Sequence, residues 1–100
     1  MSVKVLDDVG VLADCLSGSA RVVIVPVNYY GCLEWRGTIQ LSRFEPEGIP
    51  SVIQTTLGDI AIESVKSNAQ GGLECTFTGI GKPSESLLWK LYLDHGVDLR

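Results

Sequence analysis

The sequence predicts an α+β domain: an N-terminal helix, a five-stranded antiparallel meander and a C-terminal helix. Three observations carry that reading. Apolar residues recur at helical spacing between Leu6 and Leu16. From Leu33 to Phe77 they recur with the period of two that a half-buried strand requires. Pro83-Ser84 and Gly96 then bracket a leucine-rich segment in the way helices are opened and closed. With 100 residues, 45% hydrophobic and 20% charged, the chain fits one domain over 1–100, and nothing in it argues for disorder.

The first segment, LDDVGVLADCLSGS, places Leu6, Val9, Leu12, Ala13 and Leu16 within an arc of about 120°, opposite Asp7, Asp8 and Asp14. The early acids suit a helix N-terminus and Gly18 supplies a stop, while Gly10 weakens the helix. The rival reading is a hairpin, VKVL turning into VGVLADCL. It gives a mostly β protein, a seven-stranded curved sheet or barrel with a C-terminal helix.

Beyond Ala20 the pattern becomes that of strands. ARVVIVPV is a continuous β-branched run and reads as a strand buried on both faces, with Pro26 marking its end or a bulge. NYYG is turn-like, which makes Tyr29 and Tyr30 the tip of a hairpin. In CLEWRGTIQL, Leu33, Trp35, Ile39 and Leu41 alternate with Glu34, Arg36, Thr38 and Gln40. RFEPEGIPS is a loop by its proline and glycine content. SVIQTTLGDIAIESV reads as two strands joined tightly at Leu57-Gly58-Asp59. In LECTFTGI, Leu73, Cys75 and Phe77 face inward.

The last segment, KPSESLLWKLYLDHGVDLR, alternates like a strand at Leu87, Trp89, Leu91 and Leu93, but its capping signals predict a helix. On that helix Leu87, Leu88, Trp89, Leu91, Tyr92 and Leu93 cover an arc of about 240°, far wider than the stripe one core contact uses. Something besides the sheet is expected to cover the excess. A curved antiparallel sheet closed by a C-terminal helix containing Trp89 resembles a pleckstrin-homology architecture in outline, if the N-terminus is a hairpin. The basic loop with which such modules hold phosphoinositides is missing, and an outline by itself implies no function.

Charge bounds the function classes. The net charge is −4, and no basic residue falls between Arg43 and Lys66, where Glu45, Glu47, Asp59 and Glu63 all lie. Scattered lysines and arginines make a poor footprint for nucleic acid or an anionic membrane. The longest apolar run, VVIVPV, is far short of the roughly 20 residues that span a bilayer. No targeting signal is visible, and Cys15, Cys32 and Cys75 are odd in number and widely spaced. The expectation is a cytoplasmic protein with free thiols.

Four constellations have the residue types of known chemistry. TGIGKPS joins a strand to a helix as phosphate loops do, but Pro83 stands where the Walker pattern needs Ser or Thr. Three cysteines and His95 have the stoichiometry of a zinc site without its local spacing. Cys32 with His95 as base would make a thiol nucleophile, yet nothing in the sequence joins them. Glu34, Glu63 and Glu74 with Thr38, Thr76 and Thr78 look like a solvated sheet face.

The leading expectation is therefore a non-catalytic protein-binding domain, such as a small acidic inhibitor, immunity-type protein or adaptor. No cofactor or metal is expected. The partner-binding residues are Tyr29 and Tyr30 at the hairpin tip and Trp89 and Leu93 on the helix, engaging a protein partner or a second copy of the chain. The alternatives are a small-molecule-binding barrel or compact enzyme with its pocket under Trp35 and the cysteines, or a structural oligomer subunit.

Overall fold

The computed structural model describes residues 3–26, 33–45, 47–69 and 71–97. Among these residues six strands, β1 (Lys4–Leu12), β2 (Leu16–Pro26), β3 (Leu33–Phe44), β4 (Val52–Thr55), β5 (Gly58–Ser67) and β6 (Leu73–Ile80), precede one helix, α1 (Glu85–His95). All pairings are antiparallel, in the order β1-β2-β3-β6-β5-β4. The sheet is two three-stranded meanders joined where β6 pairs with β3, rather than one five-stranded meander.

The expected N-terminal helix is absent, and a β-bulge accounts for the helical spacing. In the β1–β2 ladder Leu6 pairs with Val22 and Val9 with Ala20, so Asp7 and Asp8 together oppose Arg21. Asp8 takes the extra turn at φ 53°, in the left-handed region that Asp tolerates better than most residues. The inserted residue sets Leu6 and Val9 three apart while both face the core. Burial shows which period holds: Val11, outside the helical arc, is 3% exposed, whereas Leu12, inside it, is 58% exposed. The rival hairpin also differs in detail, since the chain reverses after Leu12 and not at the two aspartates. The outcome lies nearer the mostly β alternative, with six described strands instead of seven.

Other boundaries also shift. β2 is not buried on both faces: Ala20, Val22 and Ile24 are buried, while Arg21 is exposed and Val23 and Val25 are half-buried. β3 continues through Phe44, so the loop begins at Glu45. The β4–β5 reversal lies at Thr56-Leu57, and Gly58 already opens β5.

The sheet curls into a half-barrel. At Gly37 on β3 a Cβ would sit 1.9 Å from the Arg21 carbonyl oxygen, so only glycine permits that approach. Curling brings the two edges together at one corner. The Thr56 N–H donates to the Leu12 carbonyl and the Leu12 N–H to Thr56 Oγ1, both at 3.0 Å.

Helix α1 closes the remaining mouth, and its expected caps form. Ser84 Oγ accepts from the Leu87 N–H (3.2 Å) and donates to the Thr56 carbonyl (2.7 Å), so one hydroxyl caps the helix and ties it to the β4–β5 turn. At the other end Gly96 is left-handed and its N–H donates to the Tyr92 carbonyl at 2.8 Å. His95 Nε2 donates to the Val5 carbonyl at 2.9 Å, fastening this end of the helix to the outer edge of β1.

Candidate functional site: an apolar strip on the closing helix

The broad apolar arc of α1 divides into two uses. Leu87 and Leu91 are buried in the core of the half-barrel, and Leu88 is buried as well. Trp89, Tyr92 and Leu93 remain 47%, 41% and 63% exposed. Trp89 and Tyr92 stack, with ring centroids 5.5 Å apart and planes at 23°. Stacking fixes two large amphipathic side chains against each other, lowering the entropy a contact would have to remove. Exposed Glu85 and Asp94 lie on the same helix, and Asp94 is held by Lys90 at 3.3 Å. The result is an exposed apolar strip with Glu85 on its side of the helix and the Lys90–Asp94 pair on the other.

Of the four residues expected to bind a partner, Trp89 and Leu93 are on this strip. Tyr29 and Tyr30 lie outside the described residues. Sequence reasoning counted Tyr92 in the arc without singling it out; its spacing of three from Trp89 on one helix face was the available signal.

Trp35 is structural. It is buried, its Nε1 donates to the Gly81 carbonyl at 3.0 Å, and its ring meets Phe77 edge-on at 6.1 Å. The ring lies over Gly58 and Gly79, so the space under it is filled by its own neighbours. A cleft of about 620 Å³ does open elsewhere, lined by Leu12, Ala13, Asp14, Arg43, Gln54, Thr55 and Thr56. Arg43, the cation on its wall, is already engaged: Nη2 donates to the Ala13 carbonyl at 3.1 Å and Nη1 lies 3.8 Å from Glu45.

The remaining constellations separate. Cys15 lies in the β1–β2 turn, Cys75 is buried on β6, His95 is at the β1 edge, and Cys32 is outside the described residues. Among the described residues no group of three or more His, Cys, Asp or Glu is placed to hold a metal ion. The outer-face acids bond to neighbours: Glu74 accepts from Gln40 (2.8 Å) and meets Lys66 (3.5 Å), and Glu63 accepts from Thr78. In TGIGKPS the Gly81 carbonyl serves Trp35, Pro83 is buried and Ser84 caps the helix.

Burial, and then the negative charge of Glu74, push the Cys75 thiol above its ordinary value of 9.0. The folded state thus holds this proton more tightly than the unfolded chain. Its stabilising contribution is intact below the unfolded thiol's range and is lost as pH rises through the folded value. At pH 8 an aromatic disulfide reagent should leave the Cys75 peptide unmodified until denaturant is added, as mass spectrometry of digests would show. Rapid labelling of Cys75 in the native protein would contradict the burial.

Together these features define a class: a curled six-stranded antiparallel half-barrel closed by a C-terminal helix that carries an exposed aromatic and aliphatic strip. No described helix is long and apolar enough to cross a membrane. The chain matches no protein-family model, no curated protein and no solved structure.

Proposed function

We propose that this chain is a cytoplasmic, non-catalytic protein-binding domain, of the kind found in small acidic inhibitors, immunity-type proteins and adaptors. One observation carries the reading: Trp89, Tyr92 and Leu93 stay exposed on a helix whose core-facing leucines are fully buried. Clustered aromatics of this kind are the residues on which interface energy concentrates. The net charge of −4, with exposed Glu85 on the strip's side of the helix, favours a partner whose contact surface is apolar with a basic rim.

The test is to purify the untagged protein from its native host and determine its mass in solution and what accompanies it. A stoichiometric foreign protein is expected. Trp89→Ser with Leu93→Ser should then weaken that complex by about 2 kcal/mol or more with an unchanged circular-dichroism melt. The Tyr29→Ser, Tyr30→Ser double variant asks the same of the two tyrosines the sequence predicts to lie in a turn. A retained small molecule would favour the pocket reading, and a homo-oligomer alone would favour a structural subunit. Unaltered affinity in the helix variants would remove the strip from the interface.

A further inference from the structure

We infer that the edge of β5 beyond β4 is a strand-pairing site, and that its occupant is the same edge of a second copy of this chain, antiparallel about Val65. β4 covers only the first half of β5. Its ladder runs from Thr55–Gly58 to Val52–Ala61, and the last bond is from the Ile62 N–H to the Ser51 carbonyl at 2.8 Å. Every residue from Glu63 to Ser67 is exposed.

Two anchors, the Ile62 N–H at the Ser51 carbonyl and the Asn68 N–H at the Gly72 carbonyl, give the backbone direction on either side of the bulge. The Asn68 N–H donates to the Gly72 carbonyl at 2.9 Å, so residue 68, and by alternation Lys66 and Ser64, turn their backbone groups toward β6. Val65 and Ser67 therefore turn theirs outward, and no hydrogen bond from the described residues reaches those groups. Such a row is a template for another strand.

The other edges are obstructed. β1 is met by Thr56 at Leu12 and by His95 at Val5, with the Asp7-Asp8 bulge between them. β4 is four residues long, and Pro50 stands just before it.

Self-complementarity selects the occupant. A two-fold axis through Val65, normal to the sheet, keeps every side chain on its own face. On the concave side it sets Val65, 45% exposed, against its copy. The bulge between Ile62 and Ser64 leaves Glu63 and Ser64 both on the convex face, where they bond Thr78 and Thr76. Lys66, on that same face, then lies across from the copy's Ser64 and beside the copy's Glu63. Lys66, which already meets Glu74 of its own chain at 3.5 Å, thereby gains a second carboxylate, and the contact occurs twice by symmetry. A lysine on an edge ordinarily discourages pairing; here the same edge also supplies its counter-charge.

Sedimentation velocity should show a reversible dimer over roughly 10 μM to 1 mM, the range suited to so small a contact. The Val65 and Ser67 amide resonances should shift with concentration. Glu63→Lys and Lys66→Glu should each weaken the dimer about tenfold, and the double reversal should restore it. Both side chains are exposed, and a circular-dichroism melt checks that the variants fold. A monomer across the whole range overturns the inference. So does a dimer indifferent to the reversals, and if Trp89→Ser with Leu93→Ser abolishes it instead, the helix strip is the self-association surface.

Discussion

Gly79→Ala will destabilise the domain by roughly 3 kcal/mol or more, the upper range for overpacking a core. A Cβ at Gly79 would lie 2.0 Å from Trp35 Cε2, 2.2 Å from Cδ2 and 2.4 Å from Nε1. The ring has nowhere to withdraw. Its opposite rim is already against Gly58, its Nε1 is bonded to the Gly81 carbonyl, and its edge meets Phe77. Gly10→Ala is the control, because a Cβ there meets nothing within 4 Å, and it should be neutral or stabilising by up to about 1 kcal/mol. Urea denaturation followed by circular dichroism gives both values. Trp35→Ala alone should cost roughly 3–5 kcal/mol, and combined with Gly79→Ala it should cost less than the sum, since the clash has then gone. A Gly79→Ala variant within about 1 kcal/mol of the parent would mean that the ring has room to move.

Leu91→Ala will cost about 2–5 kcal/mol, while Leu93→Ala will change stability by less than about 0.5 kcal/mol. Leu91 is fully buried in the mouth of the half-barrel and Leu93, two positions on, is mostly exposed. Truncating Leu91 leaves a void that the surrounding strands cannot fill without releasing the ties of the helix to the sheet at Ser84 and His95. The contrast tests the division of labour on α1: buried leucines hold the fold, and Leu93 lies on the exposed side. Equal losses at both positions would place Leu93 in the core and remove the basis for a docking strip.

Legibility in the sequence followed the range of the interactions involved. The α1 boundaries were readable because caps are local: Ser84 and Gly96 act within one turn of the helix they close. β3 was readable because Trp35, Ile39 and Leu41 fall on every second position, with Gly37 filling the remaining one where no side chain fits. Residues 6–16 were misread because one inserted residue at Asp7-Asp8 turns a period of two into a spacing of three, which is also a helical spacing. The ladder with β2 distinguishes them, and that partner is distant from β1 only in pairing, not in pattern.

The candidate site divides the same way. The excess of apolar surface on α1 is a property of the sequence, since an arc of about 240° exceeds any single contact stripe. Which residues make up the excess depends on how the helix is rotated against the sheet. That rotation is set by Ser84 at the Thr56 carbonyl and His95 at the Val5 carbonyl, contacts 28 and 90 residues apart in the chain. The strand-pairing edge was equally hidden, because a strand has a free edge only once its neighbours are assigned, and β4 proves shorter than β5.

By itself the sequence determined the acidic balance, the strand-rich middle, the capped C-terminal helix and the inward Trp35, because each rests on composition or on contacts between near neighbours. Tertiary structure alone decided that residues 4–12 are a bulged strand, that β6 pairs with β3 to join two meanders, and that Trp89, Tyr92 and Leu93 remain outside. The physical reason is that apolar residues state how much surface must be buried, whereas long-range backbone pairing determines which partner buries it.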